Sequence, residues 1–331
     1  MNRALITGVA GMVGSHLAEY LLANTDWDVV GTMRWNDSLD NLEDLVGRIN
    51  RRDRISIVYS DLNDAGSMRN VVKGVDYIFH LAAQSYPKTS FDIPSETLET
   101  NAIGTLNLLE AVRYENPAAW VHVCSSSEVY GRVPKEFVPI KENCPFHPAS
   151  PYAISKAGTD LIGQFYAQAY GLKVIVTRMF THTGPRRGDV FAESSFAKQI
   201  AMIEAGQMQP PIKVGNLSSL RTVADVRDAV RAYHMLLTIN PQSGEVYNIG
   251  GTHTCTVGDI LNALFDAAGQ HYPVEVDPAR LRPIDADLQV PDCSKFMNHT
   301  GWKPEIPFHR TMSDLLEYWR AKVKRAVPLQ R

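Results

Sequence analysis

The chain has 331 residues, of which 44% are apolar and 21% charged, with a net charge of −3 at pH 7. That balance suits a soluble globular protein of two domains or one large one, and it offers no basic surface for nucleic acid. The four cysteines (Cys124, Cys144, Cys255, Cys293) form no CxxC or Cys/His cluster, so neither a metal site nor a disulfide framework is expected.

The first residues pass directly into an apolar run, RALITG, with no basic n-region or long apolar h-region, and no run is long enough to span a bilayer. A reducing, cytoplasmic setting without a membrane partner is expected. SHLAEYLLAN follows with helical spacing, and WDVVGTMR reads as a strand. ISIVYSDL is a further strand and GSMRNVVKG a short helix. DYIFHLAA is a strand, and Glu99 to Tyr114 is a helix. WVHVCSSS is again a strand, Pro151 to Tyr170 a long helix, and LKVIVTRMF the next strand. Near-continuous apolar strands alternating with amphipathic helices predict an α/β fold of the Rossmann type: a doubly wound parallel sheet with helices on both faces. After Phe180 proline becomes frequent, as in GQMQPPIKVG. The expected division is therefore a dinucleotide domain over 1–180 and a smaller, mainly substrate-binding domain over 181–331. A strand and helix around 217–250 are expected to return to the first domain.

Gly8, Gly11 and Gly14 stand as G-x-x-G-x-x-G between the first strand and the first helix, with Met12 and Val13 between the last two. Such a turn lets the backbone approach a pyrophosphate at the positive helix end. A tight strand–helix turn alone would use the same residues, but the βαβ setting favours dinucleotide binding. The second strand ends in Met33-Arg34 where an NAD-preferring site often carries an acid. A guanidinium there suits a 2′-phosphate, so NADP is expected. Asp37 lies near enough to keep NAD possible. In SDLND, Asp61 can accept the adenine amino group while Leu62 packs its ring.

Tyr152 and Lys156 are four apart in PYAISKAG, on one face of the long helix. A phenol titrates near pH ~10. A nearby ammonium favours the phenolate and makes the hydroxyl a usable base. Ser126 lies at the end of the preceding strand, at the sheet edge where this helix begins. A lone Y-x-x-x-K is usually an exposed helix face. Beside the glycine loop and Ser126, the combination is specific.

TGVAGMVG, SSSEVYG and YAISK resemble the extended short-chain dehydrogenases/reductases. More narrowly the chain resembles the GDP-mannose 4,6-dehydratase family and its near relatives, the GDP-4-keto-6-deoxymannose reductases. The likeness includes HLAAQS, SPYAISK, GPRRGDVF, VGNLSSLR and DPARLRP and covers most of the chain. It implies Ser126, Glu128, Tyr152 and Lys156 as the catalytic group. Tyr152, helped by Ser126 and Lys156, would take the proton of the sugar 4-hydroxyl as hydride leaves C4 for the nicotinamide. Glu128 would remove the C5 proton and deliver one to the departing 6-hydroxyl before hydride returns to C6.

The resemblance also places Leu81, Ala82, Ala83, Ser85, His182 and Arg187 on the cofactor. Ser85, Ser126, Glu128, Thr181, Arg186, Asn216, Arg221 and Arg282 are placed on a nucleotide-sugar, with Arg221 and Arg282 on its diphosphate. Three departures stand out: Thr181 replaces an asparagine, Thr222 follows Arg221 in place of an aspartate, and the acidic WNDSLDNLEDL takes the place of an extended arm. The expected function is a GDP-mannose 4,6-dehydratase. An NADPH-dependent 4-keto reductase is the alternative, and a non-catalytic dinucleotide sensor a third reading. The helices Glu99–Tyr114 and Pro151–Tyr170 are expected to form a homodimer or homotetramer interface.

Overall fold

The structure is a computed structural model that describes residues 1–284 and 286–325. The strands run β1 (Arg3–Thr7), β2 (Asp28–Met33), β3 (Ile55–Tyr59), β4 (Tyr77–His80), β5 (Trp120–Cys124), β6 (Lys173–Met179), β7 (His182–Thr183), β8 (Ile212–Val214), β9 (Leu220–Asp225), β10 (Val246–Ile249), β11 (His253–Thr256), β12 (Val274–Val276) and β13 (Leu288–Gln289). The principal helices are α1 (Met12–Asn24), α2 (Ala65–Val71), α3 (Gly104–Glu115), α4 (Pro151–Tyr170), α5 (Ala192–Glu204), α6 (Val226–Thr238), α7 (Val257–Ala268) and α8 (Phe308–Arg325).

Seven strands form a parallel sheet in the order β10-β6-β5-β4-β1-β2-β3. The chain starts at β1, winds outward to β3, then returns past β1 to β4 and winds the other way. The order reverses between β1 and β4, and the carboxyl ends of these strands are the place where such a sheet binds ligands. Its inner strands are buried on both faces, which explains their apolar character, while the edge strand β3 exposes Val58 and Tyr59. One face is covered by α1 and α6, whose Leu17, Leu21, Val230, Tyr233 and Leu237 pack on Ile6, Phe79 and Ile175. The other is covered by α2, α3 and α4, with Met68, Leu108, Val112 and Tyr166 packed on Ile78, Val121 and Val174. Each such side chain contributes roughly 1.5–3 kcal/mol on burial.

The helix α4 spans the range its sequence signals set. Ser150 caps it, its Oγ accepting the Ala153 N–H at 3.0 Å, Pro151 opens it and Gly171 closes it at φ +67°. The helix expected from Glu99 begins differently. Glu99–Ile103 is a wide π turn, and regular α-helix starts at Gly104. The Thr105 and Thr159 hydroxyls both donate to the Asn101 carbonyl, at 2.6 and 2.9 Å, which loosens that turn from the regular ladder. The helix α4 is tied to β6 by a buried ion pair, with Arg178 Nε and Nη2 donating to the two Asp160 oxygens at 2.8 and 3.0 Å.

From β7 onward the architecture is shorter and more looped. β11, antiparallel, and β13, parallel, flank β9, which β7 also pairs, and β12 pairs with β8. Helices α5, α7 and α8 enclose a core of Phe196, Ile200, Leu264, Phe265, Leu315 and Trp319. Between these pieces α6 returns to pack on α1 and β10 extends the large sheet beside β6. The acidic stretch after β2 folds back as a tight helical turn, Asp40–Leu45. Its Leu42 and Leu45 are buried with α1, and Asn41 Nδ2 donates to the Ala10 carbonyl. The last residues of the expected second domain, 326–331, lie outside the described residues.

Candidate active site

A cleft of about 1120 Å³ runs along the carboxyl edge of the sheet and ends under the 278–282 segment. Its floor at one end is the glycine loop. Gly8 sits at φ +72°, and its N–H and that of Val9 both donate to the Thr32 carbonyl at 3.0 Å. A Cβ at Gly14 would lie 2.3 Å from the Gly8 carbonyl oxygen, so only glycine allows the loop to fold so tightly onto α1. Gly11 caps α1 without a side chain, leaving the first N–H groups of α1 without a side-chain cap beside the cleft. Met12, Val13, Leu81, Ala82, Ala83 and Ser85 line the adjoining wall. Thr7 Oγ1 accepts the Leu81 and Ala82 N–H groups at 3.0 and 3.1 Å, fixing that wall to β1. Asp61 and Leu62 line the cleft beyond β3. Asp61 Oδ1 accepts the Asn63 N–H, and Leu62 is buried against Gly104. Arg34 also faces this end, with its guanidinium on Asp37.

The middle of the cleft holds the expected chemistry. Ser126 leaves β5 and accepts the Glu128 N–H at 3.2 Å, which turns the chain so that Glu128 faces the cleft. Tyr152 starts α4 and is held by its N–H to Ser90 Oγ at 3.0 Å. Burial raises the phenol above its ordinary value, opposed by a hydrogen bond from Ser126 and by the Arg187 charge. Lys156 lies one turn further along α4. Its Nζ donates to the Cys124 carbonyl at 2.8 Å, and burial lowers its own pKa. Ser126 and Arg187 are neighbours that favour the Tyr152 phenolate.

His182 Nδ1 donates to the Phe180 carbonyl at 3.0 Å, and burial followed by the Arg187 charge lowers its pKa to about 4, so it is neutral with Nε2 as an acceptor. Arg187 donates Nε to Glu193 at 3.2 Å and lies over the Phe191 ring at 3.3 Å from its centroid. Arg187 is half-buried and its charge is felt by Tyr152.

At the far end lie Thr181, Asn216, Arg221 and Arg282. Asn216 Nδ2 donates to Ser219 Oγ at 2.9 Å, and Arg221 Nη1 donates to the Leu220 and Ala286 carbonyls at 2.8 and 2.7 Å. Arg282 Nη1 stands 3.6 Å from Glu128 Oε1, joining the expected diphosphate clamp to the expected base. Among the described residues no group of His, Cys, Asp and Glu is placed to hold a metal.

The comparisons with known proteins agree with this geometry. The family model for GDP-mannose 4,6 dehydratase matches residues 5–315. The chain belongs to the GDP-mannose 4,6 dehydratase family. GDP-mannose 4,6 dehydratase 1 of Arabidopsis thaliana is 33% identical over 328 residues, covering 95% of this chain and 88% of that protein. GDP-6-deoxy-D-mannose reductase of Pseudomonas aeruginosa is 31% identical over 324 residues, covering 98% and 99%. The solved structure of RMD from Pseudomonas aeruginosa complexed with NADPH superposes with a TM-score of 0.81 at 29% identity, covering 97% of this chain and 100% of that one. Members of this family are enzymes of nucleotide-sugar conversion on the short-chain dehydrogenase/reductase fold, and a nicotinamide dinucleotide fits the glycine loop, the open helix end and the Tyr152–Lys156 face.

Within the family frame one expected substrate residue lies elsewhere. Arg186 sits at φ +71° with Nη2 on Glu19 at 2.6 Å and Nη1 on Ser15 Oγ at 3.4 Å, at the glycine-loop end of the cleft. Two residues that sequence reasoning missed join the substrate end. Arg280 reaches Ser195 Oγ at 2.8 Å, and Lys88 donates to the Ala279 carbonyl across the cleft. Arg280 lies in the quoted DPARLRP stretch, where two arginines stand two apart and spacing alone does not rank them. Lys88 carries no sequence signal, because its partner is far along the chain.

Proposed function

We propose that the protein is a nucleotide-sugar 4,6-dehydratase that acts on GDP-mannose and forms the 4-keto-6-deoxy sugar. The observation that carries the reading is the convergence of Ser126, Glu128 and Tyr152 on one stretch of cleft between the glycine loop and Arg221 and Arg282. A bound nicotinamide dinucleotide, NADP by the presence of Arg34, supplies a hydride acceptor that returns the hydride and so ends unchanged. Gly8, Gly11 and Gly14 would hold its pyrophosphate, and His182, Arg187 and Lys156, which line the same cleft, would bind the rest of it. Tyr152, with Ser126 beside it, takes the proton of the sugar 4-hydroxyl. The resulting 4-ketone acidifies C5–H. Glu128 removes that proton and returns one to the leaving 6-hydroxyl as water departs, so one carboxylate serves as base and then acid. Arg221 and Arg282 orient the diphosphate, the guanidinium fork being suited to phosphate oxygens.

The likeness to the Pseudomonas aeruginosa reductase over almost its whole length supports a second reading, an NADPH-dependent reductase of the 4-keto product. Mass spectrometry of the protein incubated with GDP-mannose and no reductant separates the two. Loss of one water with no net change in cofactor absorbance is the expected result. No loss of water, with oxidation of NADPH when the 4-keto sugar is supplied, replaces it with the reductase.

The exposed apolar stripe Ile154, Leu161 and Phe165 on α4, beside Leu98 and Ile103, supports a homodimer built on α3 and α4. Light scattering that shows a monomer at micromolar concentration would remove that assembly. The four cysteines are free and no helix of the described residues is long and apolar enough to cross a membrane, which supports a cytoplasmic setting.

A further inference from the structure

The substrate end of the cleft lies under a strap, residues 278–284, whose flanks are fixed by main-chain pairing. On one side β12 pairs with β8, and the Asp277 N–H donates to the Val214 carbonyl at 2.9 Å. Asp277 Oδ1 accepts the Ala279 N–H at 2.9 Å and closes a short turn over Pro278–Arg280. On the other side β13 pairs with β9, and Arg221 Nη1 donates to the Ala286 carbonyl at 2.7 Å. Residues 281–284 belong to no helix or strand, and Leu281 and Ile284 are exposed.

Three long side chains tie this strap to the rest of the cleft. Two leave the strap itself: Arg280 Nη1 donates to Ser195 Oγ on α5 at 2.8 Å, and Arg282 Nη1 stands 3.6 Å from Glu128 Oε1. The third comes from the opposite wall, where Lys88, after β4, donates its Nζ to the Ala279 carbonyl. That bond falls on the main chain of the strap, so it fixes the backbone path from which Arg280 and Arg282 project. Gly215 packs against the same stretch, and a Cβ there would lie 3.0 Å from the Arg280 carbonyl oxygen. Lys88, Arg221, Arg280 and Arg282 all line this end of the cleft, a set of cations suited to phosphate oxygens.

We infer that Lys88 is a positioning residue: by holding the Ala279 carbonyl it seats the strap on the cleft and so places Arg282 for a nucleoside diphosphate. The inference rests on the substrate reading above and goes beyond it, since it gives the placing of the clamp to a residue of the opposite wall. The physical reason is entropic. A segment fixed only at its ends samples many backbone paths, and a charged hydrogen bond to it removes most of them before the ligand arrives.

The test is calorimetric titration of the full chain with GDP, for the wild type, Lys88→Met, Lys88→Arg, Arg282→Gln and the double variant of Lys88→Met with Arg282→Gln. Timed trypsin cleavage after Arg280 runs beside it. Lys88→Met should weaken GDP binding about tenfold, the scale of one charged hydrogen bond. Lys88→Arg keeps a cationic donor on a long side chain and should stay within about threefold of the wild type. In the Arg282→Gln background Lys88→Met should add little, because the side chain that it places is gone. Cleavage after Arg280 should quicken about tenfold in Lys88→Met, since cutting follows the share of time the strap stands open. NADPH affinity should not move. Undiminished GDP affinity in Lys88→Met overturns the inference and leaves the substrate reading standing. An equal loss in both backgrounds also overturns it, by putting Lys88 on the phosphates directly. A wild type that binds no GDP overturns the nucleotide reading instead, and cleavage then decides: an unchanged rate in Lys88→Met removes the seating of the strap as well.

Discussion

The cofactor end of the cleft is built from strand ends and helix starts, whereas the substrate end is built from loops and two-residue strands such as β7 and β13. At the first, the glycine loop and the uncapped start of α1 present main-chain N–H groups, so binding depends on backbone path more than on side-chain identity. At the second, specificity rests on long side chains, Arg221, Arg280 and Arg282, each steered by a carbonyl, a hydroxyl or a carboxylate from another segment. A backbone-built site tolerates drift in its surroundings. A side-chain-built site can change its ligand by single substitutions.

The contrast can be broken most sharply at the boundary between the ends. Tyr152→Phe and Glu128→Gln should each lower kcat about 10²–10⁴-fold, as loss of a general acid–base group does, while leaving NADPH affinity close to wild type. Intact turnover in either variant would separate the geometry from the chemistry. Next in size is the frame of the cofactor half. Asp160→Asn removes the partner of buried Arg178 and should destabilise folding by about 3–5 kcal/mol, read by chemical denaturation. An Asp160→Asn protein as stable as wild type would mean that Tyr130, which Arg178 Nη1 also meets at 3.0 Å, suffices to hold the charge.

A smaller effect concerns pH and again belongs to the sheet and its edge. Burial lowers His16 and His182 to about 4 and His80 and His122 to about 3. The unfolded chain takes up these protons near pH ~6.5, but the folded chain does not until pH falls much further. Their contribution is therefore complete above that unfolded value and declines as pH drops toward 4 and then 3. Each fully buried histidine should cost on the order of 2 kcal/mol by pH ~5. Thermal melts at the two pH values check this, and His122→Gln should flatten the decline. The smallest expected effect sharpens the substrate end: Arg282→Gln should raise the KM for the nucleotide-sugar about tenfold with NADPH binding unchanged. A loss of NADPH affinity instead would place Arg282 on the cofactor.

Much of this was readable along the chain because the signals are local. The alternation of apolar runs and helical spacing marks β1 through β6 in order. Ser150, Pro151 and Gly171 mark both ends of α4 within a few residues of it. Gly8, Gly11 and Gly14, and Tyr152 with Lys156, carry their meaning in their spacing, since helix and turn geometry place them without help from elsewhere. What only the tertiary structure decided depends on residues distant in sequence. It turned the first five residues of the helix expected at Glu99 into a π turn, through Thr105 and Thr159. It set Lys156 on the Cys124 carbonyl and brought Ser126 and Arg187 to the Tyr152 phenol. It drew Arg186 to Glu19 and Ser15, brought Lys88 to Ala279, and stood Arg282 against Glu128. Spacing determines which face a side chain shares, but a charged group is claimed by the partners that the folded chain brings within a few ångströms, and those partners are chosen by the whole topology.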